Sequence, residues 1–333
     1  MGAEGVAVLG AGAWGTALAL AFARAGCNVT LWGRDRQKMA AMETTGRCGE
    51  VLPGIELDER VAPTADLARA CRAEIVVMAI PTQQLWAVAG QAASHVPNQS
   101  AILSAAKGIE RKTGYFVTEI LRDSLGDSSG ARRLGVLSGP SFASDVARGL
   151  PTAISLAMSD AEEAERLAQK LSSPSLRLYH TSDVRGVEIG GAAKNVLAIA
   201  AGIVAGMGLG ESARAAMIAR GFAELRRFAE VAGARGETLM GLSGLGDLVL
   251  TASSTQSRNY SLGIALGQGL APAEANPGGK LAEGAFTASI LAEMALQRKI
   301  EMPIVAAVAA VLDGQLQVRD AVRELMTRPL KGE

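Results

Sequence analysis

The chain has 333 residues, 49% of them hydrophobic and 20% charged, with 33 Lys and Arg balancing 33 Asp and Glu. That length and hydrophobic content can bury a substantial core and suggest two domains, while zero net charge removes any bulk attraction to nucleic acid or to an anionic membrane. Three cysteines (Cys27, Cys48, Cys71) without a CxxC pair, beside two histidines (His95, His180), support neither a disulfide framework nor a zinc site, and no metal is expected.

The apolar run Val6–Leu9 breaks into Gly10-Ala11-Gly12-Ala13-Trp14-Gly15 and continues as an Ala- and Leu-rich helical stretch to Arg24. Strand, glycine turn and helix in that order form a dinucleotide-binding fingerprint. Gly10 permits the tight turn, Gly12 lets backbone approach a pyrophosphate, and Gly15 allows close helix–strand packing, while the free amides of the helix start face the anion. No basic segment precedes an apolar one at the amino terminus, and Val6 stands where a myristoylation signal needs Ser or Thr, so the cytoplasm is the expected compartment. A second strand, Asn28–Trp32, leads to Gly33-Arg34-Asp35, the place where such domains read the ribose. An acidic residue there favours the free 2′-hydroxyl of NAD and an arginine accommodates the 2′-phosphate of NADP. Arg34 points to NADP, with Asp35 beside it keeping NAD open.

Further β-rich runs alternate with helical stretches at Val61–Thr64, Ile75–Ile80, Ala101–Ser104, Leu134–Ser138, Ala153–Met158 and Leu176–Tyr179. Alternation of this kind predicts an α/β, Rossmann-like, doubly wound and mostly parallel sheet over residues 1–185. Thr82, after Pro81, is placed as the N-cap of the helix that follows the Ile75–Ile80 strand. Beyond Asp183 the β signal stops, and residues 186–333 predict an all-α C-terminal domain, interrupted by the polar segment Thr251–Asn259 and a loop at Pro272–Gly279. The longest apolar run, Val196–Leu209, is shorter than the roughly 20 residues that span a bilayer and is read as a buried helix rather than a membrane span.

An enzyme of this architecture needs a substrate site in the cleft between its domains, so polar residues embedded in small or apolar sequence are the candidates. Lys194 lies in Gly190-Gly191-Ala192-Ala193-Lys194-Asn195-Val196-Leu197, without a carboxylate in its own helical turn, so that burial would lower its pKa; the competing role is a snorkelling surface lysine. Lys107, in Ala105-Ala106-Lys107-Gly108, follows a strand at the sheet edge where a nicotinamide would sit, and could polarise a carbonyl or be an exposed loop lysine. Asp247, after Gly244-Leu245-Gly246, could be catalytic or a helix N-cap. Ser257-Arg258-Asn259 opens a helix, where free amides, the positive dipole end and a guanidinium together suit a phosphate; a surface cap is the plainer role. Gly278-Gly279-Lys280-Leu281 lacks the hydroxyl and upstream glycine of a P-loop, and Gly241-Leu242-Ser243-Gly244-Leu245 misses the last glycine of a hydrolase elbow.

These segments resemble the NAD(P)-dependent glycerol-3-phosphate dehydrogenases of the bacterial type. The resemblance rests on the opening glycine turn together with Leu31-Trp32-Gly33-Arg34-Asp35, Ala106-Lys107-Gly108-Ile109, Ser138-Gly139-Pro140-Ser141-Phe142-Ala143, Gly191–Asn195, Gly241–Asp247, Ser257-Arg258-Asn259 and Ala282-Glu283-Gly284. It implies reversible interconversion of dihydroxyacetone phosphate and sn-glycerol 3-phosphate for glycerophospholipid synthesis. By the same resemblance Lys194 looks like the proton acceptor, with Lys107 and Asp247 completing the polar centre. Gly139, Ser141, Ser257, Arg258 and Asn259 would hold substrate. The nucleotide would be met by Gly10, Gly12, Ala13, Trp14, Gly15, Arg34, Lys107, Ala143, Arg258, Leu281 and Glu283. A homodimer is left open. A β-hydroxyacid or 6-phosphogluconate-type dehydrogenase, or a non-catalytic nucleotide-sensing module, would share the nucleotide-binding half.

Overall fold

The computed structural model describes residues 5–127, 130–275 and 282–329. The chain forms two compact units, one comprising Met1–Lys107 with Tyr115–Glu188, the other Gly108–Gly114 with Ile189–Glu333. The short segment Gly108–Gly114, which the sequence placed with the first unit, groups with the second.

In the first unit every run read as a strand forms one: β1 (Val6–Leu9), β2 (Val29–Trp32), β3 (Val61–Thr64), β4 (Ile75–Met78), β5 (Ala101–Ser104), β6 (Arg133–Ser138), β7 (Thr152–Met158) and β8 (Leu176–Thr181). They make one sheet in the order β3-β2-β1-β4-β5-β6-β7-β8. All neighbours are parallel except β6 and β7. The helices are α1 (Ala13–Arg24), α2 (Arg36–Thr45), α3 (Leu67–Ala70), α4 (Thr82–Ala92), α5 (Val117–Ser124), α6 (Ala143–Ala147) and α7 (Ala161–Leu171). Strand composition follows position in the sheet. Central β1 and β4 are apolar and buried at every residue, as a strand covered on both faces must be. Edge strand β8 instead alternates, with Leu176 and Leu178 inward and Arg177 and Tyr179 exposed. Successive residues of β1 therefore feed two cores, Val6 and Val8 one, Ala7 and Leu9 the other. Amphipathic spacing seats the outer helices: α7 buries Ala164, Leu167, Ala168 and Leu171, and Asp160 caps it by accepting from the amides of Glu162 and Glu163.

The helical unit contains α8 (Val184–Gly206), α9 (Glu211–Val231), α10 (Gly236–Met240), α11 (Asp247–Thr251), α12 (Arg258–Gly267), α13 (Glu283–Gln297), α14 (Pro303–Leu312) and α15 (Val318–Met326). The first residues of α8, through Glu188, belong to the sheet unit. There the Glu188 carboxylate accepts from Thr118 N (2.9 Å) and Thr118 Oγ1 (2.7 Å) at the start of α5. Burial pushes this carboxyl up to about 7 against the pull of Arg185. In the helical unit Glu224 of α9 likewise accepts from the amides of Ile304 and Val305 in the first turn of α14, and burial again raises its pKa to about 7.

At 23 residues, α8 is longer than the run Val196–Leu209 suggested, and by length and composition it could cross a membrane. Its most apolar window is 89% buried inside the protein, as expected of a core helix. What lets α8 pack so closely is a pair of glycine seams: a Cβ on Gly202 or Gly206 would strike the backbone of α12 at Tyr260 or Ile264, and one on Gly263 or Gly267 would strike Ile199 or Ile203 of α8. Helix backbones touch there because no side chain keeps them apart.

Candidate active site

The glycine turn after β1 adopts the geometry the fingerprint requires. Gly10 has φ +118°, a region that strains any residue with a Cβ, and a Cβ there would also strike Ala79 O beyond β4. A Cβ on Gly15 would strike the Gly10 carbonyl, so α1 can start only this close to the turn. At Gly12, by contrast, a Cβ would meet nothing within 4 Å, and Gly12 caps α1 with no side-chain hydrogen bond. The first amides of α1, beginning at Ala13 and Trp14, are thus offered to a ligand rather than to a protein acceptor. β1 and β4 flank the point where strand order reverses, the usual place for a dinucleotide in an open sheet. This cradle fits a pyrophosphate. Thr82, expected to cap α4, is instead its first residue, Pro81 holds the cap position, and among the described residues the Thr82 hydroxyl has no hydrogen-bond partner.

At the end of β2 the two residues of opposite preference part company. The Asp35 carboxylate accepts from Lys38 N at 3.1 Å and caps α2, while Arg34 is exposed. The carboxylate is committed to a helix and the guanidinium is available to an anion.

Lys107, just past β5, donates from Nζ to Gly139 O at 3.0 Å and lies over the Trp14 ring, 5.9 Å from its centroid. Ser141 Oγ donates to the same Gly139 carbonyl at 3.0 Å. Gly139 has φ +154°, and a Cβ on it would come within 2.8 Å of Ile154 Cα on β7, so only glycine can present that carbonyl. Ala143 begins α6 in the same loop. Lys107, Trp14, Gly139 and Ser141 are therefore brought together in the sheet unit.

In the helical unit Lys194 is 6% exposed and Asp247 1%. Lys194 Nζ lies 2.5 Å from Asp247 Oδ1 and donates to Thr251 Oγ1 at 2.8 Å; Thr251 Oγ1 in turn donates to Asp247 Oδ1 at 3.3 Å. Lys194 has no carboxylate in its own helical turn, as its neighbours suggested; its partner comes from 53 positions further along the chain, beyond the reach of any helical-turn pattern. Asp247 is not an N-cap: a π-helical turn, Leu242–Gly246, runs into α11, and its side chain faces the amine. A buried ammonium is tolerated when paired and hydrogen-bonded, and Asp247 and Thr251 meet both conditions.

Ser257 caps α12, its Oγ accepting from Tyr260 N at 3.3 Å, and Arg258, the first helical residue, is exposed. Asn259 is used within the protein: its Nδ2 donates to Asn195 Oδ1 and its Oδ1 accepts from Gly284 N, both at 3.0 Å. It ties α8, beside Lys194, to the first turn of α13, beside Glu283. Leu281 lies outside the described residues. Thr251 and Asn195 carry no role in the sequence reading; the i, i+4 spacing of Asp247 and Thr251 on one helix was the available signal for the first. Among the described residues no group of three or more His, Cys, Asp or Glu is placed to hold a metal ion.

Two family models match the chain, the NAD-dependent glycerol-3-phosphate dehydrogenase N-terminus over residues 5–164 and the C-terminus of the same family over residues 183–323. A glycerol-3-phosphate dehydrogenase [NAD(P)+] of Azorhizobium caulinodans is 56% identical over 98% of both chains, and one of Bradyrhizobium diazoefficiens 53% identical over 98% of both. The crystal structure of glycerol-3-phosphate dehydrogenase from Coxiella burnetii superposes with a TM-score of 0.89 at 36% identity, covering 98% of this chain and 99% of that one. With both halves matched by models of one family and full-length relatives above half identity, this chain belongs to the NAD-dependent glycerol-3-phosphate dehydrogenases.

Proposed function

We propose that the chain reduces dihydroxyacetone phosphate to sn-glycerol 3-phosphate, reversibly, with NADPH preferred over NADH, and so supplies the backbone of glycerophospholipids. As a member of its family it is an NAD(P)-dependent oxidoreductase acting on a CH–OH group; neither the β-hydroxyacid dehydrogenase nor the sensing module finds support among these relatives. The observation that carries the reading is the buried Lys194–Asp247–Thr251 cluster, an acid–base group held where water is scarce.

When bound, the nicotinamide supplies or accepts the hydride at C2. Lys194 handles the accompanying proton. Asp247 and Thr251 hold it as the ammonium, the form that gives a proton to the C2 oxygen during reduction, and the neutral amine takes that proton back in the reverse direction. Lys107 would draw electron density from a substrate oxygen, with Gly139 and Ser141 shaping its surroundings. Arg258, exposed at the capped start of α12, pairs with the substrate phosphate beside the helix amides, and Ser257 and Asn259 keep that start in place. By the family resemblance Ala143 and Glu283 would be further contacts to the nucleotide. The NADPH preference follows from Asp35 being spent on α2 while Arg34 remains exposed.

We place the protein in the cytoplasm, in keeping with three cysteines that are all free thiols. A second copy of the chain is the partner to test by sedimentation. Leu209, Val231, Met240 and Met326, all exposed, line one groove of about 1360 Å³ in the helical unit, apolar surface that a homodimer could cover.

The test is loss of NADPH absorbance when dihydroxyacetone phosphate is added to the wild type and to Lys194→Met. The variant should turn over about 100- to 10,000-fold more slowly, the usual contribution of an acid–base group, while binding NADPH as tightly as the wild type. A near-normal kcat in the variant removes Lys194 from the role.

A further inference from the structure

We infer that Trp14 is a positioning residue for Lys107: its indole face, locked by the core beneath it, holds the ammonium on the line to the Gly139 carbonyl. The inference rests on Lys107 serving the substrate oxygen, and it adds to the residues that serve that step.

Trp14 is the second residue of α1, where the fingerprint asks only for a backbone amide. Any residue compatible with the turn could donate that amide, so the phosphate cradle does not require a large aromatic ring. The ring does two other things. It packs against the buried core of the sheet unit, which restrains it. It also lies under Lys107 Nζ, 5.9 Å from the centroid, within the range where an ammonium is attracted to the negative face of an indole. The indole Nε1 is buried and has no hydrogen-bond partner among the described residues, so packing rather than a polar contact orients the ring.

Lys107 follows β5, and a four-carbon stem leaves its amine many rotamers. Two fixed features are among those that restrict it. One is the Gly139 carbonyl, accepting at 3.0 Å from a backbone conformation reserved for glycine. The other is the Trp14 face, from a different element. The carbonyl sets a distance and the indole face adds a direction, and together they narrow the positions the amine can take. Entropy is thereby lost in the folded protein instead of at the moment the carbonyl is reduced.

The experiment is a double-mutant cycle with Trp14→Leu, Trp14→Phe and Lys107→Met, reading NADPH Kd, and KM and kcat for dihydroxyacetone phosphate. Trp14→Leu should lower kcat/KM about tenfold, the size of a partly desolvated cation–π contact, and change NADPH Kd by less than about threefold. Trp14→Phe, which keeps an aromatic face, should recover most of the loss. In the Lys107→Met background Trp14→Leu should have little further effect, because the group it positions is gone. A second readout does not depend on turnover: the rate at which acetic anhydride labels Lys107 in the free protein, relative to exposed Lys112, should rise in Trp14→Leu and stay near wild type in Trp14→Phe. Equal labelling of Lys107 in wild type and Trp14→Leu, or a loss of kcat/KM that persists undiminished without Lys107, overturns the inference. If Lys107→Met alone leaves kcat/KM unchanged while labelling responds as expected, Trp14 still holds the amine and it is the role given to Lys107 that fails.

Discussion

Replacing Glu188 by Gln should flatten the dependence of folding stability on pH. Glu188 is 5% exposed, and burial lifts its pKa from 4.5 to about 7 in the folded protein. Because the folded value lies above the unfolded one, the native state binds more protons than the unfolded chain between those two values. Stability from this group is therefore present below about pH 4.5 and is lost as pH rises toward 7. At about 1.36 kcal/mol per pH unit, that interval corresponds to about 3 kcal/mol. Glutamine keeps a carbonyl oxygen for the Thr118 amide and hydroxyl, at 2.9 and 2.7 Å in the parent, and does not ionise. It gives up the 3.5 Å approach to Arg185, which retains Glu119 at 2.8 Å. Urea unfolding followed by far-ultraviolet circular dichroism at pH 5, 6, 7 and 8 measures the effect. The variant should gain most of about 3 kcal/mol relative to the wild type between the two extremes, while Glu224, present in both proteins, cancels in the difference. Parallel stability curves for the two proteins would refute the assignment of this pH dependence to Glu188.

Arg258→Gln should raise KM for dihydroxyacetone phosphate by 10-fold or more with a smaller change in kcat, since a charge-assisted bond to phosphate contributes about 1.5–3 kcal/mol; steady-state kinetics that leave KM unmoved would exclude Arg258 from phosphate binding. Arg34→Asp should lower kcat/KM for NADPH and raise it for NADH, and an unchanged ratio would show that the 2′-phosphate is not read there. Gly263→Ala should destabilise the protein despite the roughly 1 kcal/mol that alanine gains over glycine in a helix. Its Cβ would strike the Ile199 carbonyl and lie 2.8 Å from Gly202 Cα, backbone atoms that cannot rotate away, and separating α8 from α12 costs about 1–3 kcal/mol or more. Thermal unfolding reads the outcome, and an unchanged or higher Tm would mean the seam yields easily.

Local chemistry determined much of this molecule. The β runs, the glycine turn and the change from alternating elements to consecutive helices are each set by side-chain patterns a few residues long, and period and turn chemistry survive in any context that buries the right face. Lys194, Lys107, Asp247 and the Ser257–Asn259 helix start were legible for the same reason, as polar groups standing in small or apolar surroundings. Tertiary structure alone decided what those groups do to one another. The amine of Lys194 meets a carboxylate 53 positions away and a threonine beyond it, Asn259 spends its amide between α8 and α13, and Asp35 turns to its own helix, leaving Arg34 exposed. The cause is common to all three: a side chain's partner is fixed by which backbones approach each other, and here that depends on glycine contacts between helices and on loop conformations whose effect spans the fold.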